Sequence, residues 1–225
     1  GMKASLGEAA ARYLEYTIKD GNIVGVSMGS TLFEVVSHVV HPAAQKVTFV
    51  PLVGGVGRVR MELHANSLAE SLSRIYDGKF VPLHAPARVS SRNIRDELLK
   101  EDSLLPAIYL TQKLDIAVVG IGYPNEKSAI MATGYFKENE IESLIDRKVA
   151  GELCMQFYDI YGDTAPYKDD NNVIGMDISM LRSVPRSIGI AGGVEKLRAV
   201  RGAINGHYIN TLITDIECAE ALISE

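Results

Sequence analysis

The sequence predicts an α/β domain, a mostly parallel sheet with helices on both faces. Three observations carry this. Short apolar runs alternate with amphipathic stretches along almost the whole chain. One run, Ile116-Ala117-Val118-Val119, has no polar alternate, as a strand buried on both faces requires. Four runs end in small or capping residues, at 27–31, 54–57, 120–122 and 191–193. Ligands of such sheets bind beyond the C-terminal strand edges, so all four turns are expected on one rim.

In chain order, residues 4–18 carry apolar positions at 3–4 spacing (Ala9, Ala10, Tyr13, Leu14) and predict a helix. Asp20-Gly21 turns into a strand at 23–26. A helix follows to about Val40, ended by His41-Pro42. Strand 47–50 leads into Pro51-Leu52-Val53-Gly54-Gly55, and an amphipathic helix is expected over 62–76, stopped by Asp77-Gly78. A third strand spans 79–83, and helices are expected at 92–99 and 104–111. After the strand at 116–119 come a helix at 138–146, further secondary structure at 149–157 and a polar surface loop at 161–172. A short strand at 172–175 and a short helix at 177–183 precede the strand at 186–190. Helix 194–203 and strand 208–213 complete the alternation, with Thr214-Asp215 capping a last helix at 216–223.

The totals exclude several classes. Hydrophobic residues at 47% with charged residues at 23% suit a packed globular domain rather than a disordered segment. Residues 1–225 read as one domain, with no linker or repeat. No apolar run approaches about 18 residues, so no membrane span is expected, and no signal peptide is legible. A net charge of −5 with no Lys/Arg block makes the chain a poor nucleic-acid binder by itself. Cys154 and Cys218 lie far apart with no metal spacing, so buried reduced thiols, no metal and a cytoplasmic setting are expected. No Walker A or full dinucleotide fingerprint occurs, and no cofactor is expected. Gly1 ahead of Met2 reads as the remnant of a cleaved tag.

The most informative stretch is Gly25-Val26-Ser27-Met28-Gly29-Ser30-Thr31. A strand that turns through glycine and hydroxyl residues into a helix aims backbone N–H groups and the positive helix end at one point, which suits a phosphate. Gly29, Ser30 and Thr31 would supply the amides, Ser30 and Thr31 also hydroxyls, and Gly25 and Ser27 are counted with them as ligand-binding residues. The plainer reading is a tight turn with Ser30 as N-cap. Gly25-x-Ser27-x-Gly29 also matches a nucleophile elbow, with Asp159 and His207 following in triad order. Only one helix precedes Ser27, whereas a hydrolase sheet needs several strands first, so no catalytic residue is assigned.

The order of these turns resembles the C-terminal sugar-binding domain of the SorC family of bacterial transcriptional regulators. The resemblance runs over about residues 5–223. It rests on the stretch at 24–32, on Pro51-Leu52-Val53-Gly54-Gly55 and Val118-Val119-Gly120-Ile121-Gly122, and most specifically on Phe157-Tyr158-Asp159 with Gly162. It continues through Ile174-Gly175, Leu181-Arg182, Ile188-Gly189-Ile190-Ala191-Gly192-Gly193 with Lys196, and the stretch 208–215. The likeness implies a Rossmann-like fold similar to the sugar-phosphate isomerase and CoA-transferase group. It further implies a phosphorylated sugar as effector, a homodimer or homotetramer, and DNA contact only through an N-terminal helix-turn-helix domain absent from this chain. Some family members carry a basic residue before the glycine pair; here it is Val53, so no Schiff-base chemistry is expected there.

The remaining candidates are weighed on their residues. Gly54 and Gly55 either admit a ligand close to the backbone or only form a turn. His64 and Asn66 match a polar pair that faces the sugar in relatives; otherwise they are a solvated first helical turn. His38, His41 and His84 read as surface or loop residues, with His84 within reach of the rim. Asp159 and Asp163 flank Gly162 and suit sugar hydroxyls, or belong to a hydrated loop. Lys196 stands in the first turn of a helix, where the dipole disfavours a cation by about 0.3–1 kcal/mol. An anionic ligand would offset that misfit; a solvent lysine paired with Glu195 is the alternative. The expected function is thus sugar-phosphate sensing, with an aldose–ketose isomerase-like enzyme using Asp159 as the runner-up.

Overall fold

The computed structural model describes residues 1–40 and 42–224. The expected end of the second helix at His41 lies outside the described residues. Six parallel strands form the sheet: β1 (Ile23–Val26), β2 (Thr48–Pro51), β3 (Lys79–Phe80), β4 (Ile116–Gly120), β7 (Arg186–Ile190) and β8 (Thr211–Ile213). Their order is β3-β2-β1-β4-β7-β8. The order reverses between β1 and β4, which is where doubly wound sheets open their ligand crevice. β5 (Gly151–Leu153) and β6 (Gln156–Tyr158) make a separate antiparallel hairpin.

The period-2 geometry of the strands separates two cores. Val24, Val26, Ile116, Val118, Ile188 and Ile190 face α1 (Met2–Thr17), α2 (Ser30–His38) and α3 (Ala65–Ile75). Leu52, Ala117, Val119 and Ile121 face the opposite way, toward α5 (Leu105–Thr111) and α8 (Leu197–Asn205). Each fully buried Val, Leu or Ile contributes about 1.5–3 kcal/mol over its exposed state, so these two faces fix the register. A third cluster lies beneath the hairpin, built on Val53, Phe136, Phe157 and Tyr167 with α7 (Glu138–Asp146). The remaining helices are α4 (Arg92–Leu98), capped by Ser91 Oγ on the Ile94 N–H, α6 (Ala129–Ala132), and α9 (Ile216–Ser224). As expected, Asp215 caps α9: its Oδ1 accepts from the Cys218 N–H at 2.9 Å.

Several expected elements differ. The helix expected over 62–76 breaks at His64, whose ψ of 143° is extended; a 3₁₀ turn at Met61–Leu63 precedes α3. The last strand starts at Thr211, because the Asn210 side chain takes the Ser187 N–H and the Pro185 carbonyl. The 149–157 stretch folds as a hairpin whose corner, Cys154 and Met155, has φ of 51° and 63°. Two buried non-glycine residues in the left-handed region carry none of the usual Asn-Gly signal of such turns. The expected strand at 172–175 is reduced to single bridges, Val53 with Gly175 and Arg88 with Val173. The polar 161–172 loop contains a 3₁₀ helix, Ala165–Asp170, that buries Tyr167.

Candidate functional site

A cavity of about 410 Å³ opens at the switch point, a volume typical of small-molecule sites. Met28, Gly29, Ser30 and Thr31 enter it after β1, Gly120 to Tyr123 after β4, and Gly192 with Lys196 after β7. Three of the four small-residue turns therefore share one rim, as expected. The fourth does not line it: Gly54 packs against the Ala85 and Pro86 carbonyls, where a Cβ would clash.

The local chemistry of the β1–α2 turn is that of an anion cradle. Gly29 has φ 119° and ψ 171°, a region essentially restricted to glycine. That conformation starts α2 directly at Ser30. Among the described residues no protein acceptor meets the Ser30 and Thr31 N–H groups, so two helix-start donors stand at the cavity wall. Gly29 itself is a correction. Its N–H is taken by the Leu63 carbonyl at 3.0 Å, so it shapes the turn instead of donating to a ligand. Ser30 is not an N-cap; that position is Gly29. The Ser30 hydroxyl instead accepts from Lys3 Nζ at 2.7 Å.

Lys196 reaches the same cavity from the other half of the sheet. It closes the 3₁₀ turn Val194–Lys196 and occupies the N-cap position of α8. Its Nζ donates to the Ile121 carbonyl at 2.9 Å. Burial pulls its pKa down; Glu152 opposes that, and Lys3 adds to it. Glu152, on β5, is anchored through paired backbone bonds with Gly122, and its Oε2 accepts from the Met155 N–H at 2.9 Å. Burial pushes its carboxyl up against the opposing pull of that N–H and of Lys196. Its contribution to stability is therefore largest below the usual glutamate range and is lost as pH rises through the raised value. For Lys196 the sign reverses: its contribution is lost as pH falls through its lowered value. The cavity thus holds two ammonium groups, Lys3 and Lys196, beside two carboxylates, Glu152 and Glu195.

Eight expected contacts lie outside the lining of this cavity. Gly25 is a packing glycine, since a Cβ there would enter the Leu52 and Leu114 side chains. Gly55 bonds through its N–H to Ala85 and its carbonyl to Ala87, and Gly54 is confined as described above. His64 ties its own loop, with Nε2 3.0 Å from the Val59 carbonyl. Asn66 clamps Leu83, accepting from its N–H at 2.9 Å and donating to its carbonyl at 3.0 Å. Asp159 Oδ1 accepts from the Tyr161 and Asp163 N–H groups, and Asp163 Oδ1 from Ala165. Those carboxylates satisfy their own turn. His84 is exposed and outside the cavity lining. Ser27 is 2% exposed, and its hydroxyl accepts from the Gly120 N–H at 3.1 Å. It joins β1 to β4 beneath the cavity, and neither Asp159 nor His207 lines the space around it.

Asn66→Ala tests the clamp. It is expected to cost about 1–3 kcal/mol in urea unfolding, the range for stranding buried backbone partners. Ligand affinity of the folded protein should stay within about threefold of the parent.

Lys3, Glu152, Asn125 and Ser128 line the cavity and were not singled out by the sequence. Lys3 is a charge on an otherwise ordinary amphipathic helix. Glu152 depends on a hairpin that no local signal announces.

Taken together, this is a Rossmann-order α/β binding domain whose switch-point cavity offers unpaired helix-start amides, a half-buried Lys196 and an exposed Lys3 to a small anion. The family model described as "Putative sugar-binding domain" matches residues 1–224, and the chain belongs to that family. It is the sugar-binding, effector-type domain of SorC-like transcriptional regulators. The chain is 27% identical over 227 residues to the deoxyribonucleoside regulator of Bacillus subtilis, covering 100% of this chain and 72% of that protein. It is 30% identical over 227 residues to the transcriptional regulator LsrR of Enterobacter sp. strain 638, covering 99% and 68%. The solved full-length sorbitol operon regulator SorC of Klebsiella pneumoniae superposes with a TM-score of 0.90 at 28% identity, over 98% of this chain and 72% of that one. Among the described residues no helix is long and apolar enough to cross a membrane, and no His/Cys/Asp/Glu group could hold a metal.

Proposed function

We propose that this domain senses a phosphorylated sugar without catalysing a reaction on it. The phosphate sits on the Ser30 and Thr31 N–H groups, with Lys196 and Lys3 supplying positive charge, and Glu152 accepts from a sugar hydroxyl. The observation that carries this reading is the convergence of unpaired helix-start amides and a half-buried ammonium on one cavity from opposite halves of the sheet. Asp159, the expected isomerase base, lies outside the cavity lining and bonds its Oδ1 to its own turn. In this reading the protein works in the cytoplasm as a homodimer or homotetramer, and a helix-turn-helix domain outside this chain contacts DNA. Ligand changes operator affinity only by binding two quaternary arrangements unequally.

A thermal-shift screen tests the function. Stabilisation follows the ratio of ligand concentration to dissociation constant, so phosphorylated sugars should raise Tm and their unphosphorylated counterparts should not. Turnover of a hit into an isomer would transfer the reading to an enzyme.

Glu152→Gln gives a second test. Removing this carboxylate from the cavity should raise the affinity for inorganic phosphate several-fold at a pH above the raised Glu152 value. The gap between variant and parent should close as pH is lowered through the raised Glu152 value, because the parent is then neutral too. Calorimetric titration at several pH values reads both effects.

A further inference from the structure

A second cavity, of about 200 Å³, shares none of its described lining residues with the cavity at the switch point. Three elements meet there. Arg92 and Arg95 come from α4, Lys168 from the 3₁₀ helix Ala165–Asp170, and Gln156 from β6. Gln156 is 4% exposed and fixed at both ends of its amide. Its Nε2 donates to the Met176 carbonyl at 2.7 Å, and its Oε1 accepts from the Ile178 N–H at 3.1 Å. That wall is fully bonded, whereas the cations beside it are not neutralised. Arg92 and Arg95 stand three residues apart and so share one face of α4. Arg95 is half-buried, yet its Nη1 reaches only the Asn171 carbonyl, at 3.5 Å, and its Nε is buried without a partner. Among the described residues, Arg92 and Lys168 make no side-chain hydrogen bond or ion pair, and the Thr164 hydroxyl beside them has no partner either. The carboxylates of α4 do not relieve this: Glu97 pairs with Lys100 at 2.8 Å, and Asp96 bonds neither arginine. Asp177 is the carboxylate of the lining, and its Oδ1 is committed to the Ser179 N–H at 2.9 Å. Three cations thus face one carboxylate, in a chain whose net charge is −5.

We propose that this cavity is a second, independent anion site whose ligand is a small molecule carrying a diphosphate group. A buried guanidinium N–H without an acceptor is costly, and an anion in the cavity supplies the missing acceptor. Guanidinium forks match phosphate oxygens in bidentate pairs, which favours a phosphate over a single carboxylate. Lys168, arriving from a different element, adds a point charge for a second phosphoryl group. The proposal does not depend on the sugar-phosphate reading, because the two cavities have separate linings.

Calorimetric titration with inorganic pyrophosphate tests it, using the full chain with Lys196→Met so that the switch-point cavity contributes little. Binding to one site per chain should persist in that variant. Adding Arg95→Gln should weaken it about tenfold or more, the scale of one charge-assisted hydrogen bond. Adding Asp177→Asn should instead tighten it several-fold, since the amide keeps the oxygen that caps the 3₁₀ helix Ile178–Ser183 and removes the negative charge. That gain is not expected of a purely structural residue, and it is measurable even if Arg95→Gln fails to fold. Inorganic phosphate should bind at least about tenfold more weakly than pyrophosphate, because it meets fewer of the three cations. Loss of all pyrophosphate binding in Lys196→Met alone would place the anion at the switch point and overturn the proposal. An unchanged affinity in Asp177→Asn, or in a folded Arg95→Gln, would overturn it too. Equal affinities for phosphate and pyrophosphate would overturn the diphosphate assignment.

Discussion

Lys196→Met is expected to remove most of the affinity for a phosphorylated sugar. The Lys196 ammonium is the half-buried cation of the cavity, and a hydrogen bond between charged partners is worth about 1.5–3 kcal/mol. The loss corresponds to roughly 10–150-fold in Kd, measurable by calorimetry or by disappearance of the thermal shift. The fold should tolerate the change. Methionine keeps most of the buried stem, and Glu152, whose carboxyl burial already biases toward protonation, can neutralise when its counter-charge goes. Lys196→Arg should fall between the two, because the guanidinium keeps the charge but cannot sit as a point donor on the Ile121 carbonyl. If Lys196→Met binds as the parent does, the cation belongs to the wall and not to the ligand.

Gly162→Ala should be the most damaging single methyl in the turn that follows β6, and damaging to stability rather than to recognition. Gly162 has φ 80°, and a Cβ there would run into the backbone of Gly206. Two penalties add: a left-handed alanine, about 1–2 kcal/mol, and overpacking against backbone that cannot yield, about 1–3 kcal/mol. The carbonyl of Gly162 also accepts from the buried Tyr208 hydroxyl at 2.5 Å, so a shift of this turn disturbs the α8 packing. Urea unfolding should show the midpoint falling with little change in slope. Where the variant remains folded, its affinity should match the parent within about threefold. A large affinity loss at unchanged stability would instead bring Asp159 and Asp163 back as ligand contacts.

These two residues show what the sequence made legible. Lys196 was readable because it breaks a local rule. A cation at a helix start needs a reason, and the Gly-Ser-Thr turn of the first half supplied one through the same physics. The strand alternation was readable because full burial writes itself into runs such as 116–119. Asp159 could not be placed from the sequence, because a carboxylate bonded to its own turn and one awaiting sugar hydroxyls look identical there. Only the Oδ1 contacts with Tyr161 and Asp163 separate them. Gly25, Gly54 and Gly55 failed for a related reason: glycine signals close approach, not what approaches, and here it is Leu52, Leu114, Ala85 and Pro86. Glu152 stayed hidden because its position depends on a corner at Cys154 and Met155, and on pairing with Gly122 thirty residues earlier in the chain.

The account turns on where the phosphate sits, and a crystal structure of the complex with a sugar phosphate that raises Tm measures that directly. The predicted result places the phosphate oxygens within hydrogen-bonding distance of the Ser30 and Thr31 N–H groups and of Lys196 Nζ. Density for the phosphate at the turn holding Asp159 and Gly162, or anywhere that leaves Ser30 and Lys196 without contact to it, would contradict the account.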